Sequence, residues 1–420
     1  MAADSFQILN GSAVVPNTVD WRGRLAYTLT AGQTYTLSGE GSKGVYITLT
    51  GEGAARLILS DVSIGVDQGS EINALDISGA PGQSVEFVLP KGTDNRLVSH
   101  SGMALYVDVP VTIASDDAAD STGGSLKAIS HSTANEAVTV IGDLSITGGS
   151  ITAEADGLNR SGIQADGSIS ISGGSVTATG GLHGIFAADG GSLSVSDDAQ
   201  VHATATSDGG VGMTAYGSIF ISGGTVTATG AGEAHCGMEA WNTAVISGGD
   251  VTAKGIFHGI YAKSSLTVSG DASVLAEATS EDDSGIPPYG VDSRTLEVDG
   301  QADFEAYGKS GALAPYTDVT VTDPDRVLAG HDAGSAIVEW LPYESGMPRA
   351  KVIDASELTP PDPIVPSLPG GEGGSTSIPS DAVMQPEDLP QTGDCSQLAA
   401  WACLLAAALS ALCVRARRRA

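Results

Sequence analysis

Apolar and polar residues alternate at period two along most of this chain, and the alternation itself repeats. From residue 144 to 322 a unit of about 25 residues recurs, seen in Ile169-Ser170-Ile171-Ser172-Gly173-Gly174-Ser175-Val176-Thr177-Ala178 and again in Ile219-Phe220-Ile221-Ser222-Gly223-Gly224-Thr225-Val226-Thr227-Ala228. Each unit holds three short alternations, such as Ile169/Ile171, Val176/Ala178 and Ile185/Ala187. Period two is the signature of a strand with one buried face. Gly-Gly pairs separate the first strand from the second, where a sharp bend needs positive φ. No repeat shows helical periodicity. The pattern predicts an all-β chain, a single-stranded parallel and right-handed β-helix solenoid with coils of about 25 residues. Equivalent residues then stack in columns. Ile146, Ile171, Val195, Ile221, Ile246, Val268 and Val298 form one interior column, and Ala153, Ala178, Ala203, Ala228, Ala253 and Ala276 a narrower one.

The periodicity also divides the chain. Residues 1–26 are expected to cap one end, residues 27–143 to form irregular coils and residues 144–322 the regular ones. Residues 323–357 form the second cap, where Val338 and Trp340 cover the open end. Residues 358–388 are rich in Pro, Gly and Ser and predict a disordered, wall-spanning linker. Residues 389–420 read Leu389-Pro390-Gln391-Thr392-Gly393, then an apolar run over 398–414, then Arg415, Arg417, Arg418 and Arg419. This resembles the LPXTG sorting signal of Gram-positive surface proteins. The resemblance implies that sortase cuts between Thr392 and Gly393 and joins Thr392 to peptidoglycan. The run 398–414 then serves as a C-terminal transmembrane helix held only transiently in the bilayer by the basic tail, a short span by membrane standards. The implied location is the cell surface, covalently on the wall. Export requires a leader, and Met1-Ala2-Ala3-Asp4-Ser5-Phe6 shows no basic, apolar, cleavable signal, so a truncated or misassigned start is expected.

Charge narrows the partners. The formal net charge is −31, and loss of the four arginines and Asp394 on sorting takes it to −34. Such a chain lacks the basic footprint of a nonspecific nucleic-acid binder and attracts cations. Calcium is the cation an acidic extracellular protein would meet, yet no EF-hand loop or strict calcium-binding repeat is present, and no cofactor is firmly implied. Acidic turns such as Asp116-Asp117, Asp197-Asp198 and Glu281-Asp282-Asp283 read as solvated loops. Three of the four cysteines fall after Gly393, leaving Cys236 without a disulfide partner.

A second resemblance runs from about residue 27 to 322. Tyr35-Thr36-Leu37-Ser38-Gly39, the block 57–64, Leu89-Pro90-Lys91-Gly92-Thr93-Asp94-Asn95-Arg96-Leu97 and the repeats are together similar to the bacterial carbohydrate-binding β-helix domain family. It implies attachment to polysaccharide, acidic ones included, with calcium as a helper. No binding residue carries over from it.

Register locates a candidate face. If Ile185 and Ala187 point inward, strand three carries two outward columns. One is Gln164, Phe186, Thr214, Glu239, Tyr261, Asp292; the other is Asp166, Ala188, Tyr216, Trp241, Lys263, Arg294. Aromatics are 5% of the chain, so their gathering on one strip matters. Phe186, Tyr216, Trp241 and Tyr261 offer ring faces to sugar C–H surfaces, while Glu239 and Lys263 answer hydroxyl or acidic groups. The competing account is that the rings only cover the sheet as cross-strand pairs. His183, Cys236 and His258 precede a glycine at matching points and read as packing residues rather than metal ligands. Polysaccharide lyases and hydrolases share such folds, but Asp156, Arg160 and Asp166 are the nearest approach to a catalytic set, so no enzyme activity is expected. The sequence therefore predicts a wall-anchored, glycan-binding adhesin. A structural spacer or protein-binding adhesin is the alternative, followed by a lyase or hydrolase.

Overall fold

An extended strand sends alternate side chains to opposite sides, and here one side faces inward. The computed structural model describes residues 5–67, 71–116, 123–232, 236–280, 287–331 and 340–358. In strand Val45–Thr50, Val45, Ile47 and Leu49 are buried while Tyr46 and Thr48 keep partial exposure. Through the body each strand pairs in parallel with one a full turn further along. Leu75–Ser78 is followed by Leu105–Val107, Val138–Val140, Ser161–Ala165, His183–Ala187 and Val211–Ala215.

The interior consists of ladders. Ile146, Ile171, Val195, Ile221, Ile246, Val268 and Val298 are paired in register and essentially inaccessible. The alanines from Ala153 to Ala276 form a second ladder, extended to Ala128 and Ala306. Each fully buried Ile or Val contributes about 1.5–3 kcal/mol. At the bend after Ile171, Gly174 has φ +75°, and a Cβ there would lie 2.3 Å from the Gly149 carbonyl oxygen. Only glycine fits.

Closure of the sheet corrects the expected architecture. The sequence predicts discrete short strands interrupted at every corner, but Gly53–Val66 and Ile219–Thr229 run through corners and pair on two faces. One arc between them passes through Gln83–Leu89, Val111–Ser115, Leu144–Ile146, Ile169–Ile171 and Leu193–Val195. The other passes through Asp94–Ser99, Ser125–Ser130, Ser150–Ala155, Ser175–Gly180 and Gln200–Ala205. Together they make a closed parallel barrel of 12 strands, not a solenoid of separate coils. Local irregularity is the physical cause. Asp61 takes φ +56° at a register shift, so pairing continues around the bend instead of breaking. A second shift at Ser222 does the same in Ile219–Thr229.

The only helical element among the described residues is the 3-10 turn Ala355–Glu357, and no helix there is long and apolar enough to cross a membrane. The expected linker beyond Leu358, the run 398–414 and the motif Leu389 to Gly393 lie outside the described residues. Both ends of the ladder are antiparallel. Gln7–Asn10 pairs with Thr34–Gly41, and Arg349–Asp354 lies between Asp303–Tyr307 and Arg326–His331. Trp340 packs its ring near His331 and Arg349, while Val338 is outside the described residues.

Candidate functional site

The third strand of successive turns carries a run of touching aromatic rings. Gln164, Phe186, Thr214, Glu239, Tyr261 and Asp292 are rung partners one after another. A glycine precedes each inward Ile, Met or Val on these strands, and its position explains the local path. A Cβ on Gly184, Gly237 or Gly259 would lie 2.3–2.4 Å from a backbone nitrogen of the neighbouring strand. The chain therefore hugs that strand at the glycine, and the residue before it turns to the outer side. His183 thereby stacks on Phe186 at 4.4 Å and 19°.

From there the rings touch in sequence. Phe186 meets Tyr216 edge-on at 4.9 Å, and Tyr216 meets Trp241 at 5.1 Å. Lys263 Nζ stands 5.6 Å from the Trp241 ring centroid, within cation–π range. Tyr261 belongs to a second group: it stacks with His258 at 6.4 Å, and His258 lies parallel to Tyr289 at 6.1 Å. Asp292 accepts a hydrogen bond from the Tyr316 hydroxyl and lies 3.5 Å from His258 Nε2. Burial lowers the His258 pKa against the pull of Asp292.

Exposure departs from the expected open strip. Phe186 is only 7% exposed and Thr214 is fully buried, Tyr216, Glu239, Trp241 and Tyr261 are half-buried, and Lys263 is exposed. The rings shield one another because neighbouring rungs lie about 4.8 Å apart. Burial leaves polar atoms stranded. Among the described residues, the buried side-chain polar atoms lacking a hydrogen-bond partner are Thr139 Oγ1, Arg160 Nε, Thr214 Oγ1, Trp241 Nε1 and His258 Nδ1. All five lie on this face or at its strand ends. Native interiors rarely leave such groups unpaired, and each costs about 1–3 kcal/mol.

Glu239 is the electrostatic centre of the face. Desolvation pushes its pKa up to about 7, with the nearby Trp241 indole N–H partly opposing the rise. That N–H approaches the carboxylate without completing a hydrogen bond. No salt bridge to Glu239 occurs among the described residues.

Residues 25–283 match the family model described as carbohydrate-binding domain-containing protein, more than half of the chain. The chain belongs to this family. No curated protein and no solved structure matches it. The matched span includes Phe186, Tyr216, Glu239, Trp241, Tyr261 and Lys263 and ends before Asp292.

Of the other candidates, Asp156 pairs with His131, Arg160 donates to Glu136, and Asp166 accepts from Gln164. Among the described residues no group of three or more His, Cys, Asp or Glu is placed to hold a metal, calcium included. Sequence reasoning missed the stacking of His183 on Phe186, the Tyr289 and Tyr316 partners and the stranded polar atoms. The recurring residue-before-glycine pattern was the available signal for His183 and His258.

Proposed function

We propose that the face bearing Phe186, Tyr216, Trp241 and Lys263 binds polysaccharide, and that the protein serves as an adhesin on the bacterial cell wall. One observation carries the binding: a continuous chain of ring contacts ending under the exposed Lys263, beside the half-buried Glu239. Sugars present both apolar C–H faces and hydroxyls, and this surface offers a partner to each. Family membership supports the same reading. The test is titration with cello-oligosaccharides and oligogalacturonates. Trp241→Ala should weaken binding by about 1–3 kcal/mol, and exposed Lys263→Ala should weaken it with unchanged thermal melting.

Burial of Phe186 favours a second reading, in which the rings only sheath the sheet and the protein is a spacer or protein-binding adhesin. Under it, Trp241→Ala would lose stability and no glycan affinity. Wall attachment rests on Leu389, Pro390, Gln391, Thr392 and Gly393. Thr392→Ala should move the protein from the muramidase-released fraction to membrane or medium, and unchanged wall linkage would reject sortase anchoring.

A further inference from the structure

Glu239 occupies a position that a merely structural carboxylate would not. It follows Thr214 and precedes Tyr261 in the column, with Trp241 two residues on along its own chain. Its surroundings hold two stranded polar atoms, Thr214 Oγ1 and Trp241 Nε1. The charged and titratable groups facing it from the packed elements are all committed elsewhere. On the following strand Lys263 stands over the Trp241 ring and His258 faces Asp292, with Tyr261 stacked on His258. On the strand beneath, Lys254 pairs with Glu277 at 2.8 Å. On the preceding turn Tyr216 packs against Trp241, and Cys236 is buried at the start of Glu239's own strand. Nothing among these neutralises an ionised Glu239.

We propose that Glu239 is a specificity-determining residue that engages saccharide as the neutral acid, donating its proton in a hydrogen bond to a sugar oxygen beside Trp241. The inference rests on the glycan-binding reading of this face and deepens it. A ligand covering Trp241 and the half-buried Glu239 removes further water from the carboxyl, and desolvation favours the uncharged form. Binding and protonation therefore support each other, and an ionised Glu239 must take up a proton before the complex forms. Its resting pKa near 7 makes that cost appear in the neutral range. A uronate-bearing ligand adds direct repulsion from the carboxylate, so its loss of affinity is steeper than that of a neutral glycan.

The test has a ligand-free arm and a ligand arm. Ionisation beside an indole alters its emission, so Trp fluorescence of the intact protein should show a step centred near pH 7 that disappears in Glu239→Gln and in Trp241→Phe. In the ligand arm, oligogalacturonate and cello-oligosaccharide are titrated from pH 5.5 to 8.5 against wild type and Glu239→Gln. Wild-type affinity should fall above pH 7, approaching tenfold per pH unit for one linked proton. The Gln variant, whatever its absolute affinity, should show a flat profile. Absence of the fluorescence step, or the same pH profile in wild type and variant, overturns the role of Glu239 while leaving glycan binding intact. A fluorescence step with neither saccharide bound at any pH overturns the glycan-binding reading and this inference together.

Discussion

At the scale of single residues, the contrast between Ile221 and Thr227 tests the interior ladder. Ile221 is buried between Val195 and Ile246, whereas Thr227, one strand-corner later, keeps partial exposure. Ile221→Asp places an unpaired carboxylate among apolar neighbours and should cost several kcal/mol, on the order of 3–5. Thr227→Asp should cost under about 1 kcal/mol, and denaturant melts of the two variants check the difference. Glu239 makes a second residue-scale prediction, and its sign follows from linkage. Its pKa rises from an ordinary 4.5 to about 7 on folding, so the folded state holds the proton more tightly. The associated stability is complete below pH 4.5 and is lost as pH rises through about 7. Over that window wild type should lose up to about 3 kcal/mol relative to Glu239→Gln, as read from paired melts at pH 4.5 and pH 8.

At the scale of elements, the glycine ladder on the third strands fixes how closely neighbouring strands approach. A Cβ on Gly237 would meet Lys254 N at 2.4 Å and Ala253 C at 2.7 Å, both backbone atoms that have no side-chain freedom to yield. Gly237→Ala should therefore destabilise by about 2–4 kcal/mol and pull Cys236 and Trp241 out of line, so that glycan affinity falls as well. Gly53→Ala is the useful comparison: its φ of +90° disfavours alanine, but its Cβ would meet nothing within 4 Å, so only backbone strain of about 1 kcal/mol is expected. The same elements show what was legible beforehand. The rung partners of Ile221 and the column from Gln164 to Asp292 could be read because period two and the Gly-Gly spacing fix the register. The course of Gly53–Val66 and Ile219–Thr229 around corners could not, because a left-handed aspartate and a register shift leave the same polar pattern as a turn. Nor could the burial of Phe186, which depends on rings four or five ångströms away on other turns.

At the scale of the whole molecule, a parallel ladder must end somewhere, and an open edge is a template for another chain. Asp303–Tyr307 pairs on one side with Ser273–Ala278 in parallel and on the other with Arg349–Asp354 in antiparallel. The antiparallel strand is fastened by charge at two points. Arg349 is paired with Glu305, and Arg326, from the strand on its far side, reaches Asp303 and the carbonyls of Gly300 and Ala302. Arg349–Asp354 is covered in turn by Arg326–His331, so the parallel ladder does not end in an open edge there. A chain ending at Thr322 would lose this cover and leave Asp303–Tyr307 with an unpaired edge on that side. Strong net negative charge opposes association at low salt, so the exposed edge should act only once the charge is screened. The truncated chain is expected to stay monomeric in about 10 mM salt and to self-associate near 0.5 M, where the screening length falls below about 5 Å. A chain ending at Leu358, which keeps the cover and lacks the apolar run 398–414, should remain monomeric at both, as followed by light scattering. A chain ending at Thr322 that stays monomeric at high salt would show that the strand Arg349–Asp354 is not what protects this edge.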